Sequence, residues 1–420
     1  MRAFSTLLFV LFALSANAAD GTLGTVSVQK GNNVSVNGEA PLSLTLDGKD
    51  HQSCQFLSKR APDESHEFTW KEVTTTRGGE LAEMLGDQLR SIDSLVVKGY
   101  VNDKDFHAMW DASLYGYLSV INLKNAVLEN NAVPDTAFFH GNEQYEGSSH
   151  EIFYYIGLRK IILPEGLEKI GEGAFYQASA LRQVNFPSTL RYIGDFAFNA
   201  TKLEMNQLVI PEGVEEINQY AFAFCRKLKA QVTLPSTIKK IGEWAFYGCP
   251  ITSINLPEGL ESLGSLAFWD CDLREVSIPS SCHEFNEGWQ FGFNRNLEKM
   301  HLPEGMTEIP DHFAVDCFRL REVNFPHTLK HIGEKAFSLC ISLKNVDLPL
   351  GMQSLGEEAF SELEALEQIV FPASMKSLGK NSCSYWKNIK RIYCAAIEPP
   401  VCDPTDGGVF SGFDFPDGLN

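Results

Sequence analysis

The chain is poor in positive charge: 35 Lys and Arg stand against 54 Asp and Glu in 420 residues, a formal net charge of −19. Nucleic acid and polyanionic sugars reward dense basic surfaces, so neither is expected as a partner. Beyond the first twenty residues no apolar run reaches membrane-spanning length, and direct membrane insertion of the mature chain is not expected. A Gly-rich phosphate loop, a nucleophile elbow and an H-E-x-x-H motif are all missing. Most of the ten cysteines fall in no C-x-x-C or other paired spacing. On these grounds the chain is read as non-enzymatic, with no catalytic residue, no metal ligand and no cofactor expected.

What is present begins with "MRAFSTLLFVLFALSANAAD": one Arg, an apolar run from Phe4 to Leu14, and the small-residue pattern Ala16-Asn17-Ala18. That is the pattern of a secretory signal over residues 1–18, too short to span a bilayer. The mature chain is expected to be exported, as a secreted or cell-surface protein, and monomeric.

Prolines then recur at 164, 187, 211, 235, 257, 279, 303, 326, 349 and 372, at intervals of 22 to 24 residues, which is the period of a solenoid. Counting from each proline, offset 3 is apolar (Leu167, Leu190, Val214, Ile238), as is offset 6 (Ile170, Ile193, Ile217, Ile241), and offset 7 is usually Gly or Asn. Offsets 10 and 11 read Ala-Phe in seven of ten copies, and offset 14 is Cys in five. Those five are expected to be buried thiols, whereas a disulfide is expected among Cys383, Cys394 and Cys402 near the C-terminal cap. Each copy closes on an alternating run such as "RQVNFP", a short half-buried strand. Acidic residues at offset 8 followed by Ala-Phe suggest a helical turn with negative charge at its N-terminal end. One coil is therefore expected to be strand, turn, short strand and one to two turns of helix. No coil buries its apolar residues alone, so about ten coils stack at roughly 4.8 Å, spanning about 45 to 50 Å.

The columns resemble the BspA-like leucine-rich repeat family, whose motif L-P-x-x-L-x-x-I-G-x-x-A-F-x-x-C-x-x-L-x-x-V-x-L-P is matched by residues 325–349 almost position by position. The resemblance covers roughly 118–400. It implies an α/β repeat fold, a right-handed leucine-rich-repeat-like solenoid. It also implies an exported surface protein of the kind found in anaerobic bacteria and some protozoan parasites and implicated in adhesion to host proteins or other cells.

Residues 19–78 follow no such period; "TVSVQKGNNVSVNG" and "LSLTLDG" alternate like hairpin strands and suggest a small β-rich region. Residues 79–136 read as an N-terminal cap, helix then strand, ending in a degenerate first repeat. The solenoid occupies 137–395, and 396–420 resembles only the start of the family's terminal cap, as in a truncated product or fragment.

Several residue groups invite a chemical reading. His327 and His331 lie four apart near Cys340, but at offsets 1 and 5 of a coil, where that spacing does not create a shared face as it would on a helix. In the coil after Pro279, the least regular, His283, Glu284 and Glu287 could line a small acidic site, while Phe291 and Phe293 are expected to fill the core. The "PEG" glutamates, Glu165, Glu212, Glu258 and Glu304, are periodic and read as turn residues of a solvated surface. Acids at offset 4 of "PEG" coils (Glu168, Glu215, Glu261) alternate with Arg191, Lys239 and Lys330, which suggests a two-coil unit with mild cross-strand pairing.

A helical wheel over offsets 7 to 14 turns offsets 9 and 12 about 150° from the core, into solvent. In the first five coils these positions carry Phe196, Tyr220 and Trp244 at offset 9 and Tyr176, Tyr247 and Trp269 at offset 12. An exposed aromatic stripe marks protein or sugar recognition, so these six are the candidate binding residues for an extracellular protein or glycan. Rings packed on one another or under a loop, merely extending the core, are the alternative, and the polar sheet face (Gln183, Gln207, Gln231) is a second docking surface. The leading expectation is a binding or adhesion protein that recognises a host protein, another cell or a glycan; the alternative is a structural spacer of the cell surface without a specific ligand.

Overall fold

The computed structural model describes residues 66–139, 156–402 and 408–411, together with the backbone of the short strands Gly24–Gln29, Asn33–Gly38, Phe56–Leu57 and Phe153–Tyr154. The expected secretory signal, the "LSLTLDG" strand and most of the terminal segment 396–420 lie outside the described residues. Two compact units are present, the first built from residues 1–129, 136–162 and 177–181, the second from 130–135, 163–176 and 182–420.

In the first unit Gly24–Gln29 and Asn33–Gly38 pair antiparallel, as their alternation suggests. Trp70–Thr75, Ser94–Val101, Val120–Leu128 and Lys160–Ile162 then form a parallel ladder in chain order. Parallel neighbours need a crossover. Between the second and third strands it is the helix Asp103–Tyr115, started by Asn102 and Asp105 in a reciprocal capping box. Asp105 is buried, yet its carboxylate accepts from the backbone N–H of Gly79, Leu81 and Asn102, so the charge is not stranded. The helix-then-strand reading holds for Leu81–Leu85 with Gly86–Arg90, followed by Ser94–Val101.

The second unit is a solenoid of stacked coils. Two-residue strands at offsets 5 and 6 stack in parallel register from Ala132–Val133 through Lys169–Ile170 to Glu284–Phe285, and again from Glu308–Ile309 to Val401–Cys402. The degenerate first repeat thus enters the ladder through Ala132–Val133. The closing runs form a second set of ladders, for example Gln207–Val209, Gln231–Thr233 and Ser253–Asn255, which bury Leu208, Val232 and Ile254 and expose the residues on either side. At the centre the offset-11 phenylalanines make a spine: successive rings from Phe175 to Phe291 stack 5.2 to 5.6 Å apart and within 11° of parallel.

The expected helical turn is corrected. Offsets 7 to 14 form consecutive tight turns in which offsets 9 and 13 adopt left-handed backbone: Phe196 and Ala200, Tyr220 and Phe224, Trp244 and Gly248, with φ of 56° to 66°. The hydrogen bonds explain why no helix forms. Even offsets close turns within the coil, Ala197 N to Gly194 O and Asn199 N to Phe196 O, while odd offsets reach the next coil, Phe196 N to Gln219 O, Phe198 N to Ala221 O and Ala200 N to Ala223 O. Every buried N–H here needs a partner. Sending alternate ones sideways makes a third intercoil ladder that an α-helix, with all its N–H groups bonded within the chain segment, could not supply.

The two-coil period has a different cause from the one the charges suggested. Of that alternation Lys239 and Glu215 stand 3.7 Å apart, whereas Arg191 donates to the carbonyls of Ser188, Leu190 and Glu212. What alternates is a backbone clip. Glu165 accepts from both N–H and hydroxyl of Ser188, while Gly166 N donates to Thr189 Oγ1, which donates to Leu167 O. The same clip joins Glu212-Gly213 to Ser236-Thr237 and Glu258-Gly259 to Ser280-Ser281. Glycine is needed in the first partner because its φ is 95° to 108° at these turns. His327 takes the serine's place against Glu304, so it is a clip residue.

The offset-14 cysteines Cys225, Cys249, Cys271, Cys317 and Cys340 are free and buried. They do more than fill space. Each sulfur lies 2.9 to 3.3 Å from a carbonyl of the preceding coil: Phe198, Phe222, Phe246, Phe291 and Ala314. Asn294 and Trp386 serve the corresponding carbonyls of Phe268 and Phe360 through N–H donors. Burial pushes Cys317 up to about 12 and holds Cys249, Cys271 and Cys340 well above the ordinary thiol range. A thiol reagent at pH 8 is expected to miss all five in the folded chain, where burial shields them from the reagent, and to titrate all five after unfolding. Cys282 and Cys383 are buried as well, so seven additional thiols are expected from the described cysteines on unfolding, and five or fewer would mean that a disulfide has formed among them. The C-terminal disulfide expected among Cys383, Cys394 and Cys402 does not form: Cys383 is buried in the core, Cys394 and Cys402 are exposed, and all three are free.

Candidate aromatic recognition surface

Left-handed backbone aims the offset-9 side chain along the turn face instead of straight out. Phe196, Tyr220 and Trp244 are half-buried, which corrects the expected full exposure, and they stack on one another. Phe196 and Tyr220 lie 4.7 Å apart at 8°, Tyr220 and Trp244 5.3 Å apart at 16°. A bulky residue at positive φ costs on the order of 1 kcal/mol or more. Ring stacking offsets this, each pair contributing about 0.5 to 1.5 kcal/mol.

Offset 12 is likewise half-buried. Tyr176 meets Phe196 edge-on at 5.9 Å, and Tyr247 lies 4.4 Å from Trp244 and 4.9 Å from Phe224. Five of the six candidates thus join one continuous cluster across four coils, together with Phe224, which the wheel assigned to no face. The sixth, Trp269, belongs to a second cluster with Trp289 at 5.1 Å and Phe293 at 4.4 Å. A sixth-coil glycine makes room for it: a Cβ at Gly292 would lie 2.1 Å from the Trp269 ring.

This second cluster revises the irregular coil. One extra residue shifts its columns, so Phe291 enters the spine while Phe293 occupies the left-handed offset-13 place, half-buried and outside the core. Trp289 takes the offset-9 place and stacks on His312 at 3.6 Å and 8°. Counting back from Phe291 instead of forward from Pro279 would have found it. His283 uses Nδ1 on the Ser281 carbonyl, and Glu284 and Glu287 are exposed. Among the described residues no three His, Cys, Asp or Glu side chains converge as a metal site would require. His331 meets the Ser354 hydroxyl at 2.7 Å.

Carboxylates border the rings. Glu172, Asp195 and Glu243 occupy offset 8, directly before the left-handed residue, and Glu172 is exposed. Lys240 and Arg226 are nearby but engaged, on Glu216 and Asp270 respectively, each at 2.8 Å. Burial, then the charge of Glu243, raises the Tyr220 hydroxyl above its ordinary value. Burial and Asp270 push Tyr247 up to about 12, so both phenols stay neutral hydrogen-bond donors at physiological pH. The surface can therefore offer ring edges, two phenol donors and negative charge.

No helix among the described residues is long and apolar enough to cross a membrane. No curated protein matches the chain significantly. Several solved structures are similar. A leucine-rich repeat protein from Bacteroides ovatus is 18% identical over 88% of this chain and 92% of that one, with a TM-score of 0.47. A leucine rich cell surface protein from Faecalibacterium prausnitzii is 21% identical over 63% and 83%, with a TM-score of 0.36. The pneumococcal vaccine antigen PcpA is 17% identical over 90% and 89%, with a TM-score of 0.37. The family described as BspA type leucine rich repeat region matches in six copies over residues 148–231, 229–338 and 312–397. Covering well over half of the chain and agreeing with the stacked coils seen here, that match makes this protein a member of the BspA-type leucine-rich repeat family.

Proposed function

We propose that this chain is an exported, non-enzymatic binding protein of the cell surface that recognises an extracellular protein or glycan through the aromatic turn face of its solenoid. The observation that carries the reading is the stack of Phe196, Tyr220 and Trp244, continued edge-on by Tyr176. The fold does not require it, since the same offset-9 position accepts His312, Lys335 and Glu358 with the same left-handed backbone in later coils. A fold alone would not license a function; membership of a surface-protein family adds support.

The test uses the mature chain against immobilised extracellular matrix proteins and a glycan array. Replacing Tyr220 and Trp244 by alanine is expected to weaken the parent's binding tenfold or more, about 1.4 kcal/mol. Because the pair stacks, some loss of melting temperature accompanies it, so binding is measured well below the transition. Unaltered binding by the folded variant would move the site to the sheet face carrying Gln207 and Gln231.

A further inference from the structure

We propose that the ring stripe docks an amphipathic helix whose flanks are basic. This rests on the turn face being the recognition surface, and it names the partner's chemistry. The first argument is spacing. The rings recur every 4.7 to 5.3 Å along the stack. Side chains on one face of a helix recur every ~5.4 Å, so apolar residues at i, i+3/i+4 and i+7 stay in step over several coils. An extended strand repeats a face every ~6.7 Å and falls out of step after one.

The second argument is which part of each ring faces outward. Because Phe196, Tyr220 and Trp244 cover one another's faces, they present edges, which suit aliphatic side chains better than cations stacked on a ring. Positive charge on the partner instead finds the row of carboxylates. Glu172, Asp195 and Glu243 form no ion pair among the described residues, Asp195 and Glu243 accepting instead from the backbone N–H and side-chain amide of Gln219, while the nearby cations Lys240 and Arg226 are held by their own partners. The chain's net charge of −19 steers such a partner over longer range. An apolar row against ring edges with Lys or Arg along the acidic border is helix-in-groove recognition.

The probe is a synthetic Leu/Lys helix of ~16 residues, about 24 Å long. It is compared with a Leu/Glu version of the same pattern and with a version broken by a central proline. The Lys helix is expected to bind at least tenfold more tightly than either control and to weaken as salt rises. Glu172→Gln combined with Glu243→Gln should weaken it at least tenfold without moving the melting temperature, and Trp244→Ala should weaken it as well. Equal binding of the Glu or proline peptide, or an unchanged Kd in the double variant, would overturn the proposal. If no peptide binds but matrix protein or glycan is still lost on Tyr220 and Trp244 replacement, the helix partner is wrong and the recognition surface stands. If neither responds, both fall.

Discussion

Phe246→Ala is expected to destabilise the solenoid by about 3 to 5 kcal/mol, the usual range for a core phenylalanine truncated to alanine. The ring is fully buried and stacks on Phe222 at 5.3 Å and 2° and on Phe268 at 5.6 Å and 6°. In a stacked repeat each coil is held mainly by its two neighbours, so one missing ring weakens two interfaces at once. Urea unfolding should show either a lower midpoint or a transition split into two, the coils on each side of the lesion melting separately. Phe337→Ala should behave similarly, since it too is fully buried, against Phe325 and Phe360. A melting temperature within a degree or two of the parent for either variant would mean that the offset-11 column is not the centre of the core.

The second large effect is expected at a position with no side chain at all. Gly264 does not need positive φ; it needs the absence of a Cβ, because one there would lie 2.4 Å from Glu243 N and 2.5 Å from Gly242 C. Both are backbone atoms of the preceding coil and cannot swing aside. Gly264→Ala therefore has to separate two coils where Gly264 N bonds Ile241 O at 2.8 Å. A cost of about 1 to 3 kcal/mol is expected, as for overpacking a tight core. Gly356 and Gly379 meet the same backbone contact from the coil before them, at 2.6 and 2.5 Å. Asn218 shows what the column otherwise demands: it stands in the same place but donates from Nδ2 to Ile193 O at 2.6 Å, replacing what it crowds with a hydrogen bond. Gly264→Asn is accordingly expected to cost less than Gly264→Ala in the same unfolding measurement. The reverse order would remove this account of the column.

Much of the solenoid was legible in the sequence because its information is periodic. Proline, Leu, Ile, Gly, Ala-Phe and Cys recur in register, and repetition averages away local accidents, so the coil length, the buried columns and the free thiols could all be read before any coordinate. Three things were decided only by the tertiary structure. The segment after the glycine is not helical, because alternate N–H groups find carbonyls in the next coil, and no single coil's sequence shows that those acceptors exist. The two-coil period comes from glutamate and glycine clipping the serine and threonine of the following coil, a set of contacts between residues about 23 apart that charge alternation only imitated. The aromatic stripe was visible as a column, but a helical wheel turned it fully outward; left-handed backbone lays the rings against one another, half-buried, and separates Trp269 into its own cluster. Apolar periodicity is a property of the chain and survives in one dimension. The direction a side chain takes depends on which partner its backbone bonds, and at the left-handed positions such as Phe196 and Ala200 that partner is in the next coil.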